Sequence, residues 1–166
     1  MTIQLVRAER SQLPLLDALF QLYVYDFSAM LPLSIGDDGR FQTPRPAESY
    51  FDDDTRHPFF IQSEGKWAGF ALAHRGSRID GDPTTWDVGE FFVMRGHRRR
   101  GVGAAAAKRL FDRFAGRWEV RQIPQNTGAT QFWRKVIGEY TGDDFTETQH
   151  DSDKWRGTVQ SFQRLG

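Results

Sequence analysis

Arg98-Arg99-Arg100-Gly101-Val102-Gly103 is the stretch whose residue types most directly imply chemistry. Guanidinium groups run into a pair of glycines, and Ala104-Ala-Ala-Ala-Lys108 follows as a strong helix former. Ahead of them, Phe91-Phe92-Val93-Met94 is an apolar, β-favouring run, as expected of a central strand covered on both faces. A strand, a glycine turn and a helix aim several backbone N–H groups at one point, and the helix dipole favours an anion there. Glycine lets a ligand approach the backbone closely, and arginine adds charge that a pyrophosphate can use. The spacing predicts a diphosphate-bearing cofactor held across Arg98, Arg99, Arg100, Gly101, Val102, Gly103 and Ala104. Two familiar alternatives fail on the letters. A P-loop needs Gly-Lys-Ser/Thr where this chain has Gly103-Ala104-Ala105. A dinucleotide fingerprint needs a third glycine where Ala106 stands, and belongs to the first strand–helix unit.

The run Arg98 to Gly103 resembles the coenzyme A site of the GNAT superfamily of N-acetyltransferases, whose hallmark is Arg/Gln-x-x-Gly-x-Gly/Ala. The preceding Phe91-Phe92-Val93 is similar to the hydrophobic-x-Val triplet that ends the family's central strand. A second block, Asn126-Thr-Gly-Ala129-Thr-Gln-Phe132-Trp133, resembles the family's Asn-x-x-Ala-x-x-Phe-Tyr helix and follows a candidate strand at Trp118 to Ile123. The resemblance covers residues 58 to 145 well and the first fifty in outline. It implies an α/β fold: a central mixed β-sheet of six to seven strands, flanked by helices on both faces. It implies transfer of an acetyl group from acetyl-CoA to a primary amine of a small molecule or protein, by direct attack in a ternary complex. Phe91, Phe92, Val93, Arg98 to Ala104, Asn126, Phe132 and Trp133 are the implied cofactor-binding residues. The backbone N–H of Val93 or a close neighbour is the implied oxyanion donor, with Gly89 placed where a strand bulge is tolerated.

For the general base, Glu90 and Asp87 are the side chains nearest the implied reaction centre along the strand, and a bulge would decide between them. A carboxylate beside Phe91 and Phe92 would have a raised pKa, suited to accepting a proton. The sequence departs from the family where relatives carry a tyrosine as general acid, because Trp133 stands there and an indole N–H is no proton donor at neutral pH. Tyr140 and Tyr25 are the remaining candidates, or the thiolate leaves unassisted. A second reading follows from that departure: a degenerate acyl-CoA-binding sensor or interaction module without turnover.

The elements that must position these groups are legible in outline. Ile3 to Arg7 alternates as a first strand; Leu13, Leu16, Leu19, Phe20, Tyr23 and Phe27 recur at helical intervals to Met30, with Pro14 in the first turn. Residues 31 to 46, with Pro32, Gly36, Gly39, Pro44 and Pro46, read as a loop; the resemblance places it over the acceptor pocket. Tyr50 to Asp54 reads as a helix end with a solvated acidic face. Phe59 to Ser63 and Trp67 to His74 form a hairpin around Glu64-Gly65, and Ser77 to Thr85 is a second turn. The second-motif helix is expected over Thr127 to Ile137, with Asn126 as its N-cap. Further strands are expected at Tyr140 to Thr148 and Trp155 to Gln163.

At 166 residues the chain reads as a single domain, 1–166, with 39% hydrophobic and 14% aromatic residues arguing against disorder. With 22 basic and 22 acidic residues there is no overall electrostatic drive toward nucleic acid or membrane. The chain has no cysteine, so disulfides, thiol nucleophiles and cysteine zinc sites are excluded. His97 reads as packing in its turn, His150 with Asp151 and Asp153 as ordinary surface, and no metal is expected. No signal-like segment opens the chain, and the expectation is a cytoplasmic monomer or homodimer.

Overall fold

The computed structural model describes residues 1–43 and 46–166. Its regular elements are β1 (Ile3–Arg7), α1 (Leu13–Phe27), β2 (Arg56–Ser63), β3 (Lys66–Arg75), β4 (Trp86–Val93), α2 (Val102–Arg113), β5 (Gly116–Gln122), α3 (Thr127–Thr141), β6 (Thr146–Asp151) and β7 (Arg156–Arg164). The strands form one seven-stranded sheet in the order β1-β2-β3-β4-β5-β7-β6. Neighbours are antiparallel except β4 and β5, which the crossover through α2 makes parallel. This is the mixed α/β sheet with helices on both faces that the resemblance implies.

Each face of the sheet has its own core. On one, Leu16, Leu19 and Phe20 of α1 bury against Phe60, Phe70, Leu72 and Phe92. On the other, Leu110 and Phe111 of α2 and Val136 and Ile137 of α3 pack on Ile61, Ala71, Trp118 and Val120. Alternation along β3 divides its apolar residues between the two cores, so the centre of that strand shows no polar face. Burial of each large side chain contributes about 1.5–3 kcal/mol.

Two sequence boundaries are corrected. Helix α3 runs to Thr141, past the expected end at Ile137, and Tyr140 is helical, so β6 starts only at Thr146. Gly138 does not end the helix; a Cβ there would lie 2.7 Å from Asp143 Oδ1, so its absence admits the Asp143 side chain. Gly142, at φ +64°, is the left-handed C-cap that stops the helix. In the loop after α1, Ile35 and Phe41 form an isolated bridge, and Gln21 holds Phe41 by accepting from its N–H at 2.8 Å and donating to its carbonyl at 3.1 Å. Pro44, counted in that loop from the sequence, lies outside the described residues. Asp52, Asp53 and Asp54 are exposed, and Asp53 accepts from the Thr55 N–H in its own turn. No helix among the described residues is long and apolar enough to cross a membrane.

Candidate active site

The sheet opens at its centre. Strands β4 and β5 pair only at Trp86↔Trp118, Asp87↔Glu119 and Val88↔Val120, although β4 continues to Val93 and β5 to Gln122. The parting begins beside Gly89. There the β3–β4 register jumps from Leu72↔Glu90 to Ala73↔Val88, which leaves Gly89 as the extra residue of a bulge. A Cβ on Gly89 would lie 3.1 Å from His74 Nδ1, so the bulged position has little room for a side chain. The bulge also resets the alternation. Trp86 and Val88 face the α2/α3 core, as do Phe91 and Val93, whereas Asp87, Glu90 and Phe92 share the α1 face. The N–H of Met94 donates to Ala68 on β3, so strand alternation turns the N–H of Val93 the other way, toward the gap.

The bulge brings both candidate carboxylates to one face, but into different settings. Glu90 accepts a 2.5 Å hydrogen bond from the Tyr23 hydroxyl of α1. Burial pushes the Glu90 carboxyl above its ordinary value, against the opposing pull of the Tyr23 donor and nearby Arg121. Tyr23 is raised well above the ordinary phenol value, first by burial and then by the Glu90 charge. Its ring lies among Phe27, Phe70 and Phe92. Asp87 is fully buried and held by Arg121 at 2.9 and 3.0 Å, in a two-pronged ion pair whose guanidinium lies 4.6 Å from the Trp155 ring centre. Burial tends to lower Arg121, and the Asp87 pairing outweighs it, so the group stays charged. Beside them, Glu119 is fully buried and accepts from the Ser77 hydroxyl and the Arg78 N–H at 2.8 and 3.0 Å.

The arginine–glycine turn is shaped as an anion cradle. Arg99 and Gly101 both lie at positive φ, +60° and +78°, and helix α2 begins at Val102 with no side-chain cap. The first turn's N–H groups therefore face outward from a left-handed turn. Arg99 and Arg100 are exposed. Arg98 lines the same cavity as Arg99 and Gly101, and its Nε donates to the Val93 carbonyl at 2.6 Å while its guanidinium pairs with Asp26 of α1. Arg95 joins the same aspartate at 2.9 Å. This clamp ties the end of β4 to α1. Gly103 and Ala104 stand in the first turn of α2, where a Cβ on Gly103 would lie 3.2 Å from the Phe132 ring.

Asn126 caps α3, its side-chain oxygen accepting from the Ala129 N–H at 3.1 Å. Trp133 is buried, and Phe91 meets it edge to face at 5.0 Å. The tyrosines named from sequence lie elsewhere. Tyr25 is exposed, and the Tyr140 hydroxyl donates to Asp112, with burial and that carboxylate pushing it up to about 12. His97 sits in the turn after β4, and His150 bonds Thr148 on β6. Among the described residues no three histidine, cysteine or carboxylate side chains are grouped to hold a metal.

Two cavities meet at the parting. One, of about 880 Å³, runs from Arg99, Gly101 and Gly103 along Val93 and Phe132. The other, of about 550 Å³, lies over Glu90 and is roofed by Leu31, Leu33 and Thr43. Tyr23, Phe27, Phe91, Asn126 and Trp133 line both, so the wall between them is made of site residues. Sequence reasoning missed Tyr23, Arg121 and Trp155. Arg121 was within reach, since Glu119 and Arg121 alternate with the buried Trp118 and Val120 along β5 and so share a face. The Tyr23 hydroxyl carries no such signal, because its ring satisfies the helix periodicity by itself.

No curated protein matches the chain by sequence. Solved structures do share its fold. An acetyltransferase from Thermus thermophilus superposes with a TM-score of 0.69 at 16% identity, over 98% of this chain and 97% of the other. The aminoglycoside acetyltransferase AAC(6')-Ib, in complex with coenzyme A and kanamycin, gives 0.69 at 11% identity over 98% and 95%. A chimera of the Vibrio cholerae spermidine N-acetyltransferase SpeG and hSSAT gives 0.60 at 11% identity over 99% and 96%. The sequence model of the acetyltransferase (GNAT) family matches residues 16–138, which spans the bulged strand, the glycine turn and most of the capped helix. The chain belongs to the acetyltransferase (GNAT) family.

Proposed function

We propose that the protein is an acetyl-CoA-dependent N-acetyltransferase that acetylates a primary amine by direct attack within a ternary complex. The observation that supports it most is the meeting of two cavities at the β4/β5 gap, one leading from the anion cradle and the other opening over Glu90. The residues present fit the acyl donor. The uncapped start of α2 and exposed Arg99 and Arg100 suit a pyrophosphate, and the Val93–Phe132 groove suits an extended apolar arm. When bound, acetyl-CoA supplies a thioester carbonyl already activated toward amines.

Val93 presents its N–H to the gap and takes the charge that develops on that carbonyl oxygen. Glu90 is the base, receiving the proton that the amine loses as its nitrogen bonds to carbon and the carbon–sulfur bond breaks. Tyr23 is a positioning residue that holds the Glu90 carboxylate through its hydrogen bond. Asp87 is the weaker candidate, because both its oxygens are engaged by Arg121. Trp133 walls the channel and supplies no proton, so coenzyme A leaves as thiolate and is protonated from solvent. Glu90→Gln tests the assignment. Thiol release with an accepted amine should fall at least tenfold and lose its acidic limb, with acetyl-CoA affinity unchanged by calorimetry; a wild-type profile would remove Glu90 from the chemistry.

The indole at Trp133 also favours a second reading, an acyl-CoA-binding module without turnover. Tight acetyl-CoA binding with no thiol release across an amine panel would establish that reading.

A further inference from the structure

Resting on that reading, we infer that the acceptor is a compact amine with a single positive charge on a flat apolar body, and that polycations are disfavoured. The argument is the charge balance of the acceptor cavity. Among the described residues Glu90 is the one carboxylate on its wall; Arg78 lines it too, as does Arg121, whose charge is offset by Asp87. The neighbouring carboxylates do not alter this. Asp87 and Glu119 are fully buried and do not line the cavity; Arg121 offsets the charge of the first, and burial pushes the carboxyl of the second above its ordinary value, toward the neutral acid. One ammonium group can therefore be paired, at Glu90. A second would find no further carboxylate on the wall among the described residues.

The rest of the wall is aromatic and aliphatic. Phe27, Phe91, Trp133 and Trp155 stand around about 550 Å³, under Leu31 and Leu33. Ring faces of this kind favour a flat apolar body, and one among them would also favour the single ammonium. Two of the structural neighbours are named for spermidine and for aminoglycosides, molecules with several amines. The wall described here is built for the opposite charge count.

The test uses the full chain saturated with coenzyme A, titrated by calorimetry with 2-phenylethylamine, spermidine and kanamycin. Phenylethylamine should bind at least tenfold more tightly than either polycation. Equal or tighter binding of spermidine or kanamycin, or no binding of any of the three, overturns the inference. A second arm alters the charge count: Leu33 lies on the roof and is 38% exposed, so Leu33→Glu should fold normally. That variant should raise spermidine affinity at least fivefold relative to the affinity for phenylethylamine; an unchanged ratio overturns the charge argument. Thiol release from acetyl-CoA is followed in parallel. Preference for phenylethylamine without thiol release would sink the transferase reading and keep this inference; thiol release with spermidine preferred would do the reverse.

Discussion

Tyr23 and Glu90, 67 positions apart, share the short hydrogen bond on which the proposed proton transfer turns. A donor to a carboxylate stabilises its charged form, so removing it moves the pKa upward. In Tyr23→Phe the acidic limb of kcat/KM should therefore shift to higher pH, whereas in Glu90→Gln it should vanish. A limb that stays in place in Tyr23→Phe would show that the hydroxyl does not tune Glu90. Asp87 makes a contrasting prediction. Its pair with Arg121 is buried on both sides, and removing one member leaves a guanidinium without its counter-charge. Asp87→Asn should cost about 3–5 kcal/mol in urea unfolding. If the variant were as stable as wild type yet inactive, Asp87 rather than Glu90 would be the base. Both carboxylates were visible in the sequence as candidates. What distinguishes their settings was not, because the Gly89 bulge puts both on one face and the partner that engages Asp87, Arg121, lies 34 positions away on another strand.

At the scale of elements, the sequence was most informative where a local rule suffices. The start of α3 at Asn126 is a capping rule, and the hydrogen bond to Ala129 obeys it. Asn126→Ala should cost about 1 kcal/mol. Loss of acetyl-CoA affinity beyond what that destabilisation explains would add a direct contact to the cap. The turn before α2 is a similar case, since Gly101 sits at φ +78° with open space except for Met1 Cε at 3.6 Å. Gly101→Ala should thus act through backbone strain alone, about 1–2 kcal/mol, and deform the cradle. Gly103→Ala should act differently, by pushing a methyl group against the Phe132 ring and narrowing the groove. Acetyl-CoA calorimetry beside thermal unfolding separates the two: Gly101→Ala lowers both affinity and Tm, and Gly103→Ala lowers affinity more than Tm. Where a partner lies far away in sequence, local rules are silent. Nothing around Arg98 announces that Asp26 holds it, and nothing around Gly138 announces that it opens space for Asp143 instead of ending its helix. Both follow from packing between elements, which periodicity does not encode.

For the molecule as a whole, the order of elements was legible because strand and helix patterns alternate in a fixed order; the opening in the sheet is implied by the family resemblance alone, since β4 and β5 each read as ordinary strands. That opening has a mechanical meaning. Strands β1 to β4 form one continuous ladder and β5, β7 and β6 another, and along the sheet they are joined through only three residue pairs. Amide exchange measures such a seam directly. Backbone N–H groups at Phe91 and Val93, facing the gap, should exchange faster than those inside the β2–β3 ladder. Coenzyme A at a hundred times its Kd should add about 2.7 kcal/mol to global stability. Its gain in protection should concentrate on β4 beyond Gly89. Uniform protection across the sheet would mean that the ligand binds elsewhere. Under the proposed function the acyl donor would serve as a temporary strand along this line, where denaturant or protease should first part the unliganded protein.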